Sequence, residues 1–594
     1  MKNTRVIIIA MDQPLDSDVH LRRKMANVET RAQRQSSRFP GLDLQAIQGE
    51  VNKNLLKLPL LFNGKYVGLP DLMNFLKNNR TFPHITPDNA PDYYLFANGV
   101  TLNGIYLYQY LMGEGYDPLI VQNYSLVNLP EILDEKPLAV CISSTFLYLD
   151  DIKEMAQQIK GHDPTVPVIV GGILVKKVMH AGEGLAPQTS KWLSSFSGHV
   201  DAFVVETHGE QTLLRVLENL SNGSDLTKIP NLALFDEEGT VFFTPRVEED
   251  FHMDSTAIEW DRIPRHYLRK TLSVITSQGC HYKCRFCTYR RWFPKVRYKS
   301  LEVLKQELRR IQELGFVRHL RFADDNFTAN PRRLKAVLKM MIDEEFDMAW
   351  SAFARANTIT PDVVPLMKDS GCTFINMGIE SGSRRILRNM DKGLDPDQAL
   401  RAVQLLKEHG IYSLGGFIIG YPGETPETFF ETIDLINRSG LNYYHPYLFY
   451  YSKDMLVHRD RDEFQIEGVG WAWRHKTMDS AMASRLMAKM IGLLDHAYTD
   501  GQQKTWETFK LLLGEGYSPE EIFQLHRLKR DLQVALEETT PSLPSPLVED
   551  TSVQPKARAK PRVREPLGSR KGSVNAPLPS EAEQILQEME RRIR

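Results

Sequence analysis

The chain is poor in cysteine, nearly balanced in charge and without a long apolar run. Five cysteines among 594 residues are too few for a disulfide scaffold, and their bunching points to a reducing compartment. A formal net charge of −2 gives no global pull toward nucleic acid or a membrane surface. No apolar stretch approaches the roughly 20 residues of a membrane helix. The stretch Val6 to Ala10, behind Met1-Lys-Asn-Thr-Arg5, is too short for a signal-peptide core. A cytoplasmic protein with neither nucleic-acid nor membrane partners is therefore expected. Internal repeats are absent too. Neither Gly-x-Gly-x-x-Gly nor Gly-x4-Gly-Lys-Ser/Thr follows a predicted strand, which argues against dinucleotide binding and an NTPase phosphate loop.

What is present is a long alternation of strand and helix patterns. The length exceeds what one core can hold, and 42% hydrophobic with 25% charged residues suits globular domains. Arg5 to Ala10 reads as a buried strand. Residues 11–90 are mixed and mostly unassigned, with a helical pattern from Asp71 to Leu76. From Tyr93 the alternation is regular. Strands are predicted at Tyr93–Ala97, Leu119–Val121, Leu138–Ile142, Val166–Val170 and Asp201–Val205, with helices from Gly104, Leu149 and Glu210. Such a pattern makes a parallel sheet covered on both faces, with ligands bound beyond the carboxyl ends of its strands. Ser143, Ser144, Gly171 and Gly172 fall at those ends. A connector with a hairpin around Asp236 to Gly239 follows. The alternation then resumes with strands at Leu272–Thr276, His319–Ala323, Met348–Phe353, Phe374–Ile379, Gly415–Ile419 and Tyr443–Tyr451. That is fewer β–α units than the eight of a closed barrel. The expected fold class is α/β: a Rossmann-like parallel-sheet domain, a partial (β/α)6 barrel and a helical C-terminal region. The expected boundaries are 1–235, a connector at 236–268, the barrel at 269–452, helices at 453–537 and a tail at 538–594. The tail is rich in Pro, Ser, Lys and Arg and is expected to be largely disordered, ending in a short charged helix from Glu581.

Between the barrel's first strand and first helix stands Cys280-His-Tyr-Lys-Cys284-Arg-Phe-Cys287. Thiolates this close ask for a metal, and Cys-x3-Cys-x2-Cys leaves the set one ligand short of four. A structural zinc site takes four protein ligands, usually as two pairs. Here there is no second cysteine pair, and His281 is strained as a fourth ligand beside Cys280. An iron–sulfur cluster on three cysteines, with one iron open to bind and polarise a substrate, fits better.

This loop, with aromatic Phe286 just before its last cysteine, resembles the signature of the radical S-adenosylmethionine (SAM) enzymes. The resemblance runs through the barrel from about Ser273 to Tyr451. It implies a 4Fe-4S cluster on Cys280, Cys284 and Cys287, with the open iron chelating the amino and carboxylate groups of SAM. It implies reductive cleavage to a 5′-deoxyadenosyl radical, and an electron donor such as flavodoxin or ferredoxin as partner. Other family positions transfer singly. Ala323-Asp-Asp-Asn-Phe-Thr328 stands where the family has a glycine-rich acidic turn that meets the methionine amine. Asp324 and Asp325 are present; the glycines are not. Arg355, after the third strand, suits the methionine carboxylate, or else a rim salt bridge. Glu380 and Ser381 end the fourth strand, where the family holds the ribose hydroxyls; a carboxylate can accept two such bonds. Gly415 to Glu424, with Gly420 inside it, resembles the fifth-strand motif that packs the adenine, though glycines also serve tight turns.

The upstream domain resembles the cobalamin-binding domain fused to the class B methyltransferase-like branch of these enzymes. Ser143-Ser-Thr-Phe146 and Gly171-Gly172 match the places where that fold meets the cofactor's nucleotide tail. A plain Rossmann-like domain with glycine turns is the alternative. The Asp-x-His-x-x-Gly of mutase domains is missing, and Ala97 to Gly104 has no histidine, so cobalt is expected without a histidine ligand from the protein. The pairing implies methyl transfer from methylcobalamin to an unactivated carbon or phosphorus centre of a small-molecule natural product or a peptide. A non-methylating rearrangement, cyclisation or oxidation is one rival; a non-catalytic corrinoid- or metal-binding regulator is another. The aromatic strand Tyr443–Tyr451 reads as core or as substrate mouth. Trp471 to Thr477 is a candidate cover over substrate, and Cys141 and Cys372 read as small buried hydrophobes.

Overall fold

The first sheet is built from strands that are apolar on both faces. In a computed structural model that describes residues 4–593, apart from 13–14, 40, 97–98, 100, 148, 174, 176–192, 224, 502–503 and 540–577, it comprises β1 (Arg5–Ile9), β2 (Asp117–Val121), β3 (Ala139–Ser143), β4 (Val168–Gly171), β5 (Ala202–Val204), β6 (Leu232–Phe235) and β7 (Val241–Phe243). Their order is β2-β1-β3-β4-β5-β6-β7. The unbroken Val6-Ile-Ile-Ile9 run is wholly buried, as a central parallel strand requires. β1 pairs parallel with both β2 and β3, so the winding direction reverses on either side of it. The crevice beyond the carboxyl ends of β1 and β3 is where such sheets bind ligands.

The second sheet has β8 (Thr271–Val274), β9 (His319–Phe322), β10 (Ala349–Ala354), β11 (Cys372–Glu380), β12 (Tyr412–Ile419) and β13 (Tyr443–Leu448), parallel and in chain order. Among the described residues no ladder joins β13 to β8, so the barrel is open. Helices Leu301–Glu313, Pro331–Asp343, Val364–Asp369, Pro396–Glu408 and Pro426–Ser439 return the chain between strands. Their apolar stripes, such as Leu304, Leu308 and Ile311, are buried against the sheet. Ser300, Asn330 and Asp395 cap three of these helices through their side-chain oxygens. Below, helix Thr505–Glu515 puts Trp506 and Phe509 against Phe374 at 5.1 and 4.1 Å between ring centroids, which closes the barrel floor.

Four expectations change. Tyr93–Ala97 is not a strand; Ala97 lies outside the described residues, and the Tyr94 N–H and carbonyl are both taken by the Asn74 side-chain amide, at 2.8 and 3.1 Å, in place of a ladder. The hairpin at Asp236 to Gly239 extends the first sheet to Phe243, because β6 pairs back on β5, so the boundary at 235 falls too early. The C-terminal region is not wholly helical: Glu467–Val469, Ala472–His475 and Met478–Asp479 form a small antiparallel sheet. Residues 11–90 hold helices α1 (Ser17–Gln35) and α2 (Leu44–Leu55), the hairpin Leu60–Phe62/Lys65–Val67 and helix Leu69–Lys77.

Those N-terminal elements pack on the C-terminal region. Asn54 donates to the Ser484 hydroxyl (3.1 Å), and the Leu69 N–H to Asp500 (2.8 Å). Of the tail expected to be largely disordered from 538 on, residues 540–577 lie outside the described residues, and 538–539 end helix Pro519–Thr539. Helix Ser580–Arg592 is docked, with Ala582, Leu586 and Met589 buried and Arg80 paired to Glu583 and Glu590. Among the described residues no helix is long and apolar enough to cross a membrane.

Candidate active site

The cysteine loop leaves the carboxyl end of β8 and is pinned at both shoulders. Asp324, just past β9, accepts hydrogen bonds from the Thr276 N–H (2.6 Å), the Thr276 hydroxyl (2.6 Å) and the Ser277 hydroxyl (2.5 Å). Burial nonetheless raises its pKa. Its oxygens are spent on the loop, so Asp324 positions the cysteines where a cofactor contact was expected. Asp325 accepts the Gly279 N–H at 2.9 Å and the Tyr289 hydroxyl; burial pushes it up to about 6, against the pull of those bonds. On the other side, the Arg285 N–H donates to the Met390 carbonyl (2.8 Å), and its guanidinium pairs with Asp460 (2.6 Å).

The three thiols lie near one another, with Cys284 buried, Cys280 half-buried and Cys287 exposed. The Cys287 thiol is raised, first by desolvation and then by the neighbouring Cys284 and Cys280 sulfurs. Among the described residues no three His, Cys, Asp or Glu side chains converge on one metal-ion position; thiolates of a cluster each take a different iron and need not converge. Beside them the Gln278 Oε1 and Asn326 Nδ2 atoms are buried without hydrogen-bond partners among the described residues. Polar groups held out of water this way are what a polar ligand satisfies.

Arg355 and Glu380 frame the opposite wall. The Arg355 guanidinium is 6% exposed. It donates to the Lys392 carbonyl, reaches Cys284 Sγ at 3.5 Å and stacks on Tyr282 at 3.7 Å. Among the described residues it makes no salt bridge; its Nε donates to the Asn357 side-chain oxygen at 3.4 Å. Glu380 sits at a break in the β11–β12 register with φ of +74°, a costly backbone for a non-glycine residue that is held only where its surroundings enforce it. Lys392 enforces it, with Nζ 2.7 Å from the carboxylate and both side chains buried. The Lys392 ammonium also lies 5.6 Å over Phe286, which meets Tyr421 edge-on at 6.5 Å. So Cys280, Cys284, Cys287, Phe286, Arg355 and Glu380 are gathered at one end of the barrel.

Two expected residues are turned elsewhere. The Ser381 hydroxyl accepts the Ser383 N–H (3.1 Å) and meets Thr432 (3.4 Å), facing helix Pro426–Ser439. The Gly420 N–H goes to Glu424 and its carbonyl to His475 (3.2 Å). A side chain at Gly420 would also strike Trp473. Gly420 therefore serves a turn under the small C-terminal sheet, with its N–H and carbonyl each engaged within the protein. Burial pushes the Glu424 carboxyl up to about 8.

The barrel's sequence decides its kinship. Residues 274–436 match the radical SAM superfamily. The barrel is a radical SAM domain. The chain is 34% identical over 250 residues to an uncharacterized methyltransferase of Pyrococcus horikoshii, covering 41% of this chain and 54% of that protein. It is 23% identical over 347 residues to the anaerobic magnesium-protoporphyrin IX monomethyl ester cyclase of Rubrivivax gelatinosus, covering 55% and 60%. It is 29% identical over 177 residues to the bacteriochlorophyllide d C-12(1)-methyltransferase of Chlorobaculum tepidum, covering 29% and 38%. The chain thus spans less than two thirds of each of these relatives. Among solved structures, the radical SAM methyltransferase TsrM of Kitasatospora setae, with tryptophan substrate and a SAM analog bound, shares the fold at a TM-score of 0.56 and 16% identity, over 74% of this chain and 97% of that one.

Facing the radical SAM domain is the crevice of the first sheet. The ring of His208, past β5, lies 6.4 Å from that of Phe293, past Cys287, so the two carboxyl ends meet. Ser143 pairs in register with Gly171, and Asn103 donates to the Ser143 hydroxyl at 2.7 Å. Gly172 has φ of +96°, and a Cβ there would come within 3.0 Å of the Ser144 hydroxyl oxygen. The Thr101 Oγ1 and Asn103 Oδ1 atoms are buried there without partners among the described residues. Ser143, Ser144, Gly171 and Gly172 are thus adjacent, with Gly172 packed closely on Ser144, and the unpaired polar atoms beside them suit a polar ligand. Sequence reasoning noted the loop holding Thr101 and Asn103 only for its missing histidine. It passed over Lys392 and Tyr282, which carry no periodic signal.

Proposed function

We propose that the chain is a cobalamin-dependent radical SAM methyltransferase, acting on an unactivated carbon or phosphorus centre of a natural product or peptide. The observation that carries this reading is the meeting of two sites: the three-cysteine loop with its strained Glu380, and the polar crevice at the first sheet's switch point. Cys280, Cys284 and Cys287 would hold a 4Fe-4S cluster, Glu380 the ribose hydroxyls of SAM, and Ser143, Ser144, Gly171 and Gly172 the cobalamin tail. When bound, these groups supply one-electron cleavage of SAM and a carried methyl group. The chain's own residues do the rest. Arg355 keeps a fixed cation and an N–H beside the Cys284 sulfur. Phe286, Tyr421 and Phe449 pack on the buried Cys284 side of the loop, with Tyr421 and Phe449 rings 5.1 Å apart. An external electron donor such as flavodoxin or ferredoxin completes the set.

The test is anaerobic reconstitution with iron, sulfide and cobalamin, followed by incubation with methyl-labelled SAM, a reductant and candidate substrates. Iron and corrin absorbance, 5′-deoxyadenosine and label in product are expected. The Cys280/Cys284/Cys287→Ala variant should lose the iron–sulfur band and keep the corrin. Deoxyadenosine with unlabelled product would place the chain with the cyclase-like reactions. Neither product from any reduced sample would leave only a regulator.

A further inference from the structure

Away from the cysteine loop, cations from distant segments gather at one wall of the barrel. The Lys504 ammonium nitrogen, just ahead of helix Thr505–Glu515, is buried with no hydrogen-bond acceptor among the described residues. It lies 4.5 Å over the Phe96 ring. Lys24 of α1 lies 5.5 Å over Trp471; burial, and then repulsion from Lys504, lowers its pKa. His445 of β13 is 3% exposed, and its Nε2 also lacks a partner among the described residues. Burial holds that ring down at about 4, with Asp500 opposing and Lys24 adding. It is neutral at pH 7, and its free nitrogen can donate when it bears the proton. His20, also on α1, is held at about 4 by burial and then by Lys504 and Lys24.

The nearby carboxylates Asp71, Asp500 and Glu507 attract Lys504 and oppose the lowering of its pKa by burial, but their hydrogen bonds go elsewhere. Asp500 accepts the Leu69 N–H (2.8 Å), the Thr508 hydroxyl (2.6 Å) and Lys529 (3.3 Å). Asp71 accepts the Gly68 N–H (2.8 Å) and the Ser17 hydroxyl (3.2 Å). Glu507 pairs with Lys510 at 2.5 Å. An ammonium kept from water and left without an acceptor is costly unless an anion meets it.

The wall continues to the radical SAM site. Tyr447 is two positions along β13 from His445, hence on the same face, and the rings lie 4.5 Å apart. Tyr447 is 40% exposed, and its phenol is pushed up to about 12, first by burial and then by the charge of Glu380. His445 and Tyr447 thus share one face of β13, and the charge of Glu380 is felt at the Tyr447 phenol.

We propose that Lys24, His445 and Lys504, walled by Phe96, Tyr447 and Trp471, form the anchoring site of the substrate, and that the substrate carries an anionic oxygen group, a carboxylate or a phosphate. Two ammonium groups and an N–H suit such an oxyanion. The flanking rings accept an apolar or planar body beside it. The inference rests on the proposed reading of the cysteine loop as the reacting end of the same cavity.

The experiment is calorimetric titration of the full-length, reconstituted protein with inorganic phosphate and, separately, acetate. Saturable binding of at least one is expected. Lys504→Met and Lys24→Met should each weaken it about tenfold or more, the effect of losing one charge-assisted bond. Lys504→Arg keeps the charge and should keep binding, which separates a lost ligand from a lost fold. No saturable binding of either anion, or binding unmoved by the Met variants, overturns the proposal. The phosphodiester of cobalamin is the other source of such chemistry. Cobalamin uptake unchanged in Lys504→Met supports a substrate site; uptake reduced about tenfold assigns the pocket to cobalamin and overturns it. Iron content and deoxyadenosine formation are measured on the same samples. Deoxyadenosine without anion binding sinks this inference alone; anion binding without deoxyadenosine sinks the radical reading instead.

Discussion

Lys392→Met is the sharpest probe of how the radical SAM site is held. The change leaves the Glu380 carboxylate buried, with about a tenth of its side chain exposed, and without its cation. Removing one partner of a buried pair costs about 3–5 kcal/mol, because the remaining charge is desolvated and unanswered. Glu380 also holds a left-handed backbone that costs about 1–3 kcal/mol by itself, and the pair with Lys392 helps to keep it there. The substitution spares Arg355, which takes the Lys392 carbonyl and not the side chain. Hydrogen exchange across β11 reads the effect locally: a loss of about 3 kcal/mol speeds exchange roughly 100-fold where opening is local. Glu380→Gln in the same background removes the stranded charge and should recover most of that loss, a coupling of about 2 kcal/mol between neighbours. Salt should matter little, since screening hardly reaches a buried pair. Exchange in Lys392→Met within about threefold of the parent, below 1 kcal/mol, would falsify the claim that the pair enforces Glu380.

Three further outcomes follow from the same coordinates. Glu424 has a native pKa raised to about 8, so between pH 5 and 8 the folded chain keeps a proton that the unfolded chain has released. Stability then falls as pH rises, by up to roughly 4 kcal/mol across that span; urea titrations of Glu424→Gln should be flatter with pH and show the larger stability at pH 8. Gly172→Val meets both a +96° backbone and the Ser144 hydroxyl, and spectrophotometric titration should show corrin affinity down about tenfold or more with iron content unchanged; equal affinity removes the crevice from the cofactor's path. Asp324→Asn cannot accept all three of its bonds, so one buried donor is left unpaired at a cost of about 1–3 kcal/mol; iron bound per chain after reconstitution should fall, and full iron loading would show that the clamp is dispensable.

Legibility followed the physics of each part. The central strands of both sheets were readable because parallel strands buried on two faces are short, largely apolar runs between helical patterns, as in Val6 to Ile9. The cysteine loop was readable because its chemistry is local: three ligands within eight positions need no tertiary information. Arg355 and Glu380 stood out by their positions, one just past its strand and one ending its strand, where open sheets bind ligands. Lys392 was not, because its pairing with Glu380 spans a turn whose geometry no periodicity encodes. Ser381 and Gly420 misled because a strand end presents only some of its atoms to the mouth, and neighbours claim the rest. Tyr93–Ala97 misled because an aromatic, apolar run looks alike whether its backbone meets a strand or the amide of Asn74. α1 escaped notice since Ser17 to Gln35 is largely charged, with Met25 and Ala32 among its few buried apolar residues.

Of the N-terminal helices, α1 packs near the carboxyl end of β13, while Leu69–Lys77 shares the core of the barrel floor with Phe374 and Phe509. Arg31 of α1 reaches the Tyr450 hydroxyl at 3.4 Å, and Ala32, Leu42 and Leu44 share a core with Ala472. Lys24 lies over Trp471, while Leu69 caps onto Asp500. The described elements of 17–77 and those of 470–500 thus pack on one another, although some 400 positions separate them in the chain. A polar surface on α1 is required there: a helix that was apolar toward the mouth would bury itself in it. The two sheets supply cofactor-handling ends that any sequence of this fold must build. The charge pattern of α1, meeting His445 and Lys504 from outside the barrel, is free to vary without disturbing either sheet. It follows that exchanging residues 17–77 together with 470–510 should change which substrate is accepted while leaving iron and corrin loading intact. Exchanging either segment alone should break the contacts between Asn54 and Ser484 and between Leu69 and Asp500, and lower stability before it alters selectivity.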